Sequence, residues 1–386
     1  MRLACLPLLA ALLLAALLLA VPVLAAEPAH FTKITIDPLF RSEGVGVADV
    51  NRDGKLDIMV GDLWYEAPDW KPHVIRKMRD FKVTSYSEAF YVFPYDVNGD
   101  GWVDEIVIGM PNTGCYWYEN PKGVEGPWKE HKIADHACNE TPWLVDLLGD
   151  GKKELVFARA DKHLMQWFEP GPDPTQPWIA HDISGPGAPG TDVFSHGLGV
   201  ADVNGDGRLD VLVTKGWWEA PIDRRQSPWT FHKANLGEDC VQMWTMDLAG
   251  AGRKDVITSS AHRYGLWWFE QAADGTFTRH LIDDKVSETH GLLLTTELFG
   301  DGQPVLVTGK RWFAHCGNGS DPGDREPAIL EYFTLSREGG QATWTKHIID
   351  DDSGVGMNIV VADMFGRGKR DIVISNKKGV HIFRQD

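Results

Sequence analysis

Positive charge is in short supply in this chain: 38 Lys and Arg stand against 55 Asp and Glu, a formal net charge of −17. A field of that sign repels phosphate backbones and anionic lipid surfaces, so nucleic acid and membrane are not expected partners, while cations are. Cysteine is scarce as well, with five in 386 residues. Cys5 belongs to the leading apolar stretch. The spacings of Cys115, Cys138, Cys240 and Cys316 match no zinc ribbon, and four cysteines allow three disulfide pairings among which the sequence does not choose. Beyond the first 26 residues no run is apolar enough to span a bilayer. A nucleophile elbow, a phosphate loop, a dinucleotide fingerprint and an HExxH motif are all missing, which argues against serine hydrolases, nucleotide enzymes and zincin peptidases. With 43% hydrophobic residues the chain is neither a disordered tail nor a coiled coil.

The leading segment carries Arg2, a Leu/Ala run, Pro7 and Pro22, and the small-residue exit Ala25-Ala26. That pattern predicts a signal peptide over residues 1–25, leaving residues 26–386 as one exported domain, secreted or periplasmic, with no stable membrane association after cleavage. An uncleaved anchor is the alternative, since the run is long enough to span.

What the chain has in excess is Gly (40) and Trp (16), and both follow a repeat. An apolar strand ending in an acid, a Gly-rich turn and a second apolar strand recur seven times, at 44–61, 91–109, 141–158, 197–214, 242–259, 292–309 and 357–375. Steps of 45 to 66 residues between the leading acids suit four-stranded propeller blades. Third strands often read Trp-aromatic-Glu, as in Trp64-Tyr65-Glu66, and fourth strands place His three residues after an aromatic, as in Trp70/His73. Only six fourth strands follow their units. Phe31–Asp37 aligns with Phe277–Asp283, so the N-terminal strand is expected to complete the last blade. The predicted fold is an all-β, seven-bladed β-propeller, with the recurrent Trp and His as packing residues.

Three first turns read Asp-x-Asn-x-Asp-Gly-x-x-Asp: Asp49, Asn51, Asp53, Asp57; Asp96, Asn98, Asp100, Asp104; and Asp202, Asn204, Asp206, Asp210. Alternate residues of such a turn aim hard oxygens at one point, the chemistry Ca²⁺ prefers. Three structural calcium sites are expected. The other four turns lack part of the set, and in the last Arg367 replaces the central Asp, where its guanidinium could stand in for an ion between Asp363 and Asp371. This constellation resembles the FG-GAP/VCBS repeat family, whose calcium-loop propellers include the head of integrin α chains. The resemblance implies the fold and the calcium turns and says little about activity.

Function is expected on the opposite face, where residues preceding each first strand ring the channel mouth: Glu43, Glu88, Glu140, His196, Gln242, His290 and Asn358. The second-to-third-strand loops add Arg159, Lys215, His262, Arg263, Lys310 and Arg311, and the sixth unit inserts Gly309 to Pro327 with Trp312, His315, Cys316 and Asp321. Two imidazoles and two carboxylates, His196, His290, Glu43 and Glu140, converging on one axis could hold a transition metal such as Zn²⁺. Such a mouth suits a carbohydrate-active lyase or dehydratase acting on a sugar or keto-sugar, with His196 or His290 as base, Arg159, Lys215, His262 or Arg263 assisting, and Tyr86, Trp143 or Trp312 stacking on sugar rings. The mouth histidines and repeat style are similar to the propeller domain of aldos-2-ulose dehydratases, which implies the same chemistry. A non-catalytic, integrin-like module binding glycan or protein is the alternative.

Overall fold

The computed structural model describes residues 28–338 and 341–386; the segment read as a signal peptide, residues 1–25, lies outside them. Among the described residues there is no helix, and therefore none able to cross a membrane. The strands form seven four-stranded antiparallel meanders in chain order. The first comprises Gly46–Ala48, Asp57–Met59, Leu63–Glu66 and Lys71–Val74. The second runs from Tyr91–Tyr95 to Lys129–Ala137 and the third from Trp143–Val145 to Ile179–Asp182. These two are joined edge to edge by one residue pair, Arg159 with Ala137. The fourth runs from Gly199–Ala201 to Thr230–Lys233, the fifth from Trp244–Met246 to Phe277–Ser287, and the sixth from Leu293–Thr295 to Gln341–Asp350. The seventh combines Val360–Ala362, Asp371–Asn376 and Gly379–Gln385 with Phe31–Asp37 from the other end of the chain. In that closing pair Phe31 faces Gln385 and Ile34 faces Ile382, as the repeat alignment requires.

Each unit buries apolar side chains against the next. Met59 and Trp64 of the first pack on Val92, Val107 and Tyr118 of the second. The series continues unit by unit. It returns to its start where Val373 and Ile382 of the seventh meet Ile58 and Tyr65 of the first. The sheets therefore stand around a closed ring, a β-propeller, and among the described residues each unit packs apolar side chains on both neighbours. Near the axis the inner strands approach backbone to backbone. A Cβ on Gly44 would lie 2.5 Å from the Phe90 carbonyl oxygen, and one on Gly199 would lie 2.4 Å from that of Met243, so glycine is required at both.

The recurrent Trp and His form one repeated contact. Trp64 stacks on His73, Trp117 on His131, Trp167 on His181, Trp217 on His232 and Trp268 on His280, with ring centroids 4.0–4.4 Å apart. In each, the Glu two residues after the Trp meets the His Nε2, at 2.7–3.0 Å. The sixth unit substitutes Tyr332 for the Trp and Thr334 for the Glu around His347. The seventh replaces the pair with Ile382 and Ile34. Cross-strand stacking and a hydrogen bond together fix the register of each outer pair.

The seventh unit holds a different histidine. His381 is buried between Thr35 Oγ1, 3.2 Å from Nδ1, and the Lys378 carbonyl oxygen, 3.2 Å from Nε2, which suits a neutral ring donating from Nε2. Burial, with Lys33 close by, pushes its pKa from 6.5 down to about 4. A folded-state pKa below the unfolded one means that the stability owed to the neutral ring is complete above pH 6.5 and is lost as pH falls towards 4. The melting temperature should therefore drop over that interval, and His381→Gln should flatten the drop. Melts of the variant with an undiminished acid slope would place the sensitivity elsewhere.

Candidate functional site

The two faces of the ring carry different chemistry. On the first, the acidic turns fold around their own amides. Asp49 accepts from the backbone N–H of Asp53 (3.0 Å) and Gly54 (2.9 Å), and Asn51 accepts from Asp53 as well (3.0 Å). The same bonds recur at Asp96 and Asp202. This gathers Asp49, Asn51 and Asp53, and their counterparts Asp96, Asn98, Asp100 and Asp202, Asn204, Asp206, into small oxygen-rich rings. Each central Asp takes a basic side chain as countercharge: Lys55 on Asp53 at 2.5 Å, Lys122 on Asp100 at 3.0 Å, and Arg208 on Asp206. A donor set of carboxylate and amide oxygens that attracts whatever cation is at hand fits Ca²⁺. In the seventh unit the guanidinium of Arg367 lies 2.7 Å from Asp371, while Asp363 is occupied by backbone N–H groups.

The last acid, present in six of the seven turns, has a task that spacing alone does not reveal. Asp57, Asp104 and Asp210 are fully buried, and each accepts one N–H from seven residues upstream and another from the end of the third strand. Glu154, Asp255 and Asp371 accept the same upstream N–H in turns that lack the full ligand set. The carboxylate is thus first an anchor between turn and sheet. Burial, with the neighbouring turn acids, pushes Asp57 and Asp210 up to about 6 and Asp104 up to about 7.

On the opposite face a cavity of about 300 Å³ opens at the channel mouth, lined by Tyr86, Phe90, Met110, Glu140, Phe194, His196, His262, Arg311, Ala314 and His315. Its side chains come from connections between units, from second-to-third-strand bends (Met110, His262) and from the sixth unit's insertion, the parts of the chain free of the repeat's packing demands. His196 and His262 face each other, Nε2 to Nε2, at 2.8 Å. His262 Nδ1 lies 3.3 Å from Asp321 Oδ2, and His196 Nδ1 lies 3.8 Å from Glu140 Oε2. A line of polar groups, Glu140–His196–His262–Asp321, therefore runs along the cavity wall. Burial raises the pKa of Glu140. Burial also lowers His262 and brings His196 down to about 4.

The ring of His290, Glu43 and Glu140 is filled by the protein's own cation. Buried Arg311 donates to Glu43 Oε1 at 2.7 Å and to His290 Nδ1 at 3.2 Å, and lies 4.0 Å from Glu140. Burial works against that charge, but Glu43 and Glu140 keep it protonated. Because Arg311 can only donate, His290 must accept at Nδ1 and carry its proton on Nε2. Burial and Arg311 hold His290 well below the ordinary imidazole range. His290 is thus a neutral, fixed N–H donor rather than a base or a ligand through Nε2, an atom that has no partner.

Of the expected site residues, the cavity collects Glu140, His196 and His262, with His290 and Glu43 behind them. Arg159 instead forms an ion pair with Asp161, Arg263 is exposed, and Lys215 packs its backbone against Ala234; none lines the cavity. The cation on the cavity wall is Arg311. Tyr86 is on the cavity wall, but Trp143 packs on Trp244 and donates to the Leu198 carbonyl, and Trp312 packs on Phe313. Glu88 turns outward to Arg79. His315 and Asp321, carried by the insertion, were not separable by sequence from ordinary loop polarity. The four cysteines are free, and Cys115 lies in a core strand between the second and third units.

Removing one partner of a buried ion pair leaves the other charge uncompensated, so Arg311→Met should cost roughly 3–5 kcal/mol in urea unfolding. Adding Glu43→Gln should recover part of that loss. Full additivity of the two variants would show that the pair is not coupled.

A family model for the FG-GAP-like repeat matches residues 146–213, from the third acidic turn through the second strand of the fourth unit. No curated protein matches the sequence. Among solved structures, similarity extends to an Agrocybe aegerita lectin described as recognising non-reducing terminal N-acetylglucosamine, at 16% identity, covering 92% of this chain and 93% of that one with a TM-score of 0.50. It extends also to a rhamnogalacturonan lyase, at 15% identity, covering 94% of this chain and 76% of that one with a TM-score of 0.46. At such identity the likeness concerns the fold. The chain is thus a β-propeller of four-stranded sheets whose residues 146–213 match the FG-GAP-like repeat.

Proposed function

We propose that this chain is an exported, calcium-stabilised propeller that acts as a carbon–oxygen lyase on a carbohydrate bearing a carbonyl group, at the mouth of its channel. One observation carries the reading: a buried carboxyl, Glu140, and a half-buried imidazole, His196, share a cavity wall with a fixed cation, Arg311, and with the aromatic rings of Tyr86, Phe90 and Phe194. Elimination next to a carbonyl needs those parts. His196 takes the proton from the carbon beside the carbonyl. The electrons of that C–H bond form the double bond, the β carbon–oxygen bond breaks, and the departing oxygen takes a proton from Glu140. Charge that develops on the carbonyl oxygen is met by Arg311. The aromatic rings offer flat apolar faces to the sugar. Keto-sugars and uronate-containing oligosaccharides are the substrates to screen, read by absorbance of the unsaturated product. His196→Ala and Glu140→Gln should each lower turnover by roughly 10²-fold or more. Unchanged turnover in both variants would remove these two residues from the chemistry. Sugar that raises the melting temperature yet yields no product across the screen would favour the binding module.

The calcium turns are assigned a structural role, with Asp49, Asn51 and Asp53 and their counterparts as ligands. Calcium added after chelation should raise the melting temperature, and Asp100→Ala should remove about a third of that rise. Asp104→Ala should cost roughly 2–3 kcal/mol whether or not calcium is present, because two buried N–H groups lose their acceptor. A melting temperature indifferent to chelator and to added calcium would contradict the ligand assignment and leave the anchor role standing.

A further inference from the structure

The geometry points to a first-row divalent transition metal, of the zinc type, held by His262, His315 and Asp321 on the wall of the mouth cavity. These residues stand apart from the oxygen-only turns on the other face, and from the His290–Glu43 cluster that Arg311 fills. His262 comes from the bend after the second strand of the fifth unit, and His315 and Asp321 from the insertion of the sixth. Both imidazoles turn Nδ1 towards one carboxylate oxygen: His262 lies 3.3 Å and His315 2.8 Å from Asp321 Oδ2. Two ligands on a tetrahedral ion with bonds of about 2.1 Å are roughly 3.4 Å apart. The two rings now stack, with centroids 4.2 Å apart and planes 8° from parallel, so one of them must turn to bring its Nδ1 lone pair onto a shared ion. Two imidazoles and one carboxylate favour a borderline metal over Ca²⁺ and leave a coordination position free. Both histidines line the cavity, so that position is open to a small ligand there.

A second observation points to missing positive charge. Asp321 is buried, and the carboxylate of Glu288, wholly buried, lies against it. Lys310 satisfies one oxygen of Glu288, and the other has no partner. A buried carboxylate oxygen left without a partner beside Asp321 favours added positive charge there.

The remaining hydrogen bonds already form the outer support such a metal needs. A metal on His262 Nδ1 puts that ring's proton on Nε2, aimed at His196 Nε2, and turns the His196 proton on Nδ1 towards Glu140. The ion would also tie the insertion to the fifth unit. This inference does not require the lyase reading; with the metal bound, both nitrogens of His196 are engaged and Glu140 becomes the group able to accept a proton.

The test uses chelator-stripped protein titrated with Zn²⁺ in excess Ca²⁺ by calorimetry, and with Co²⁺ by visible absorption. Wild type should take up one equivalent and give a tetrahedral Co²⁺ spectrum. Asp321→Asn and His315→Gln should each weaken uptake at least tenfold while keeping the melting temperature of the metal-free protein, whereas His163→Gln, on a separate loop, should bind as wild type does. Absence of an equivalent in wild type, or undiminished affinity in both ligand variants, would overturn the site. No substrate enters the measurement, so a failed search for lyase activity and a failed metal titration are distinguishable results.

Discussion

Closure of the ring governs the rest of the molecule. Seven apolar interfaces have to meet end to end, and the last can form only if Phe31–Asp37 pairs with Gly379–Gln385. A four-stranded sheet cannot cover its own faces, so each unit is stable only between two neighbours. The geometry that satisfies all seven interfaces at once forces the inner strands together at the axis, where most are three residues long and glycines such as Gly44 and Gly199 permit backbone contact. Side chains at the ends of those strands then have nowhere to go but a shared, poorly hydrated space. That is how Glu43, Glu140, His196, Gln242 and His290, distant in sequence, come to face one another.

Much of this was legible in the residues because the ring repeats its solutions. The strand–turn–strand unit, the Trp–His outer pair and the migrated N-terminal strand each occur often enough, or align closely enough, to be read without coordinates. A repeated signal can still conceal two causes. The acid at Asp57, Asp104 and Asp210 satisfies a ligand spacing, but its persistence as Glu154, Asp255 and Asp371 in incomplete turns comes from the buried N–H groups it accepts. An unpaired N–H inside the sheet would cost as much as a lost ligand, so both demands select the same residue type.

The mouth was legible only in outline. The repeat identifies which loops reach that face but not where a long side chain within them turns. Arg159 and Arg311 occupy comparable second-to-third-strand loops, yet one is drawn out to Asp161 and the other in to Glu43. The choice depends on which carboxylate each loop meets, a tertiary matter invisible in either segment. His315 and Asp321 lie in an insertion with no counterpart in other units, so no alignment could mark them. Their role follows from where the insertion comes to rest.

The position of Arg311 is the most informative of these outcomes, because it decides what its neighbours can be. A cation that cannot lose its proton, set against His290 Nδ1, removes that ring from acid–base chemistry and from metal ligation through Nε2. It leaves His290 as a donor whose free N–H has no partner in the protein. The same guanidinium neutralises Glu43 at contact distance but stops 4.0 Å short of Glu140. Two glutamates at equivalent repeat positions are thereby made different, one bound in a structural ion pair and one left beside His196 with an unsatisfied oxygen. A carboxyl oxygen left unpaired beside an imidazole and a cavity is what the proposed proton transfer calls for.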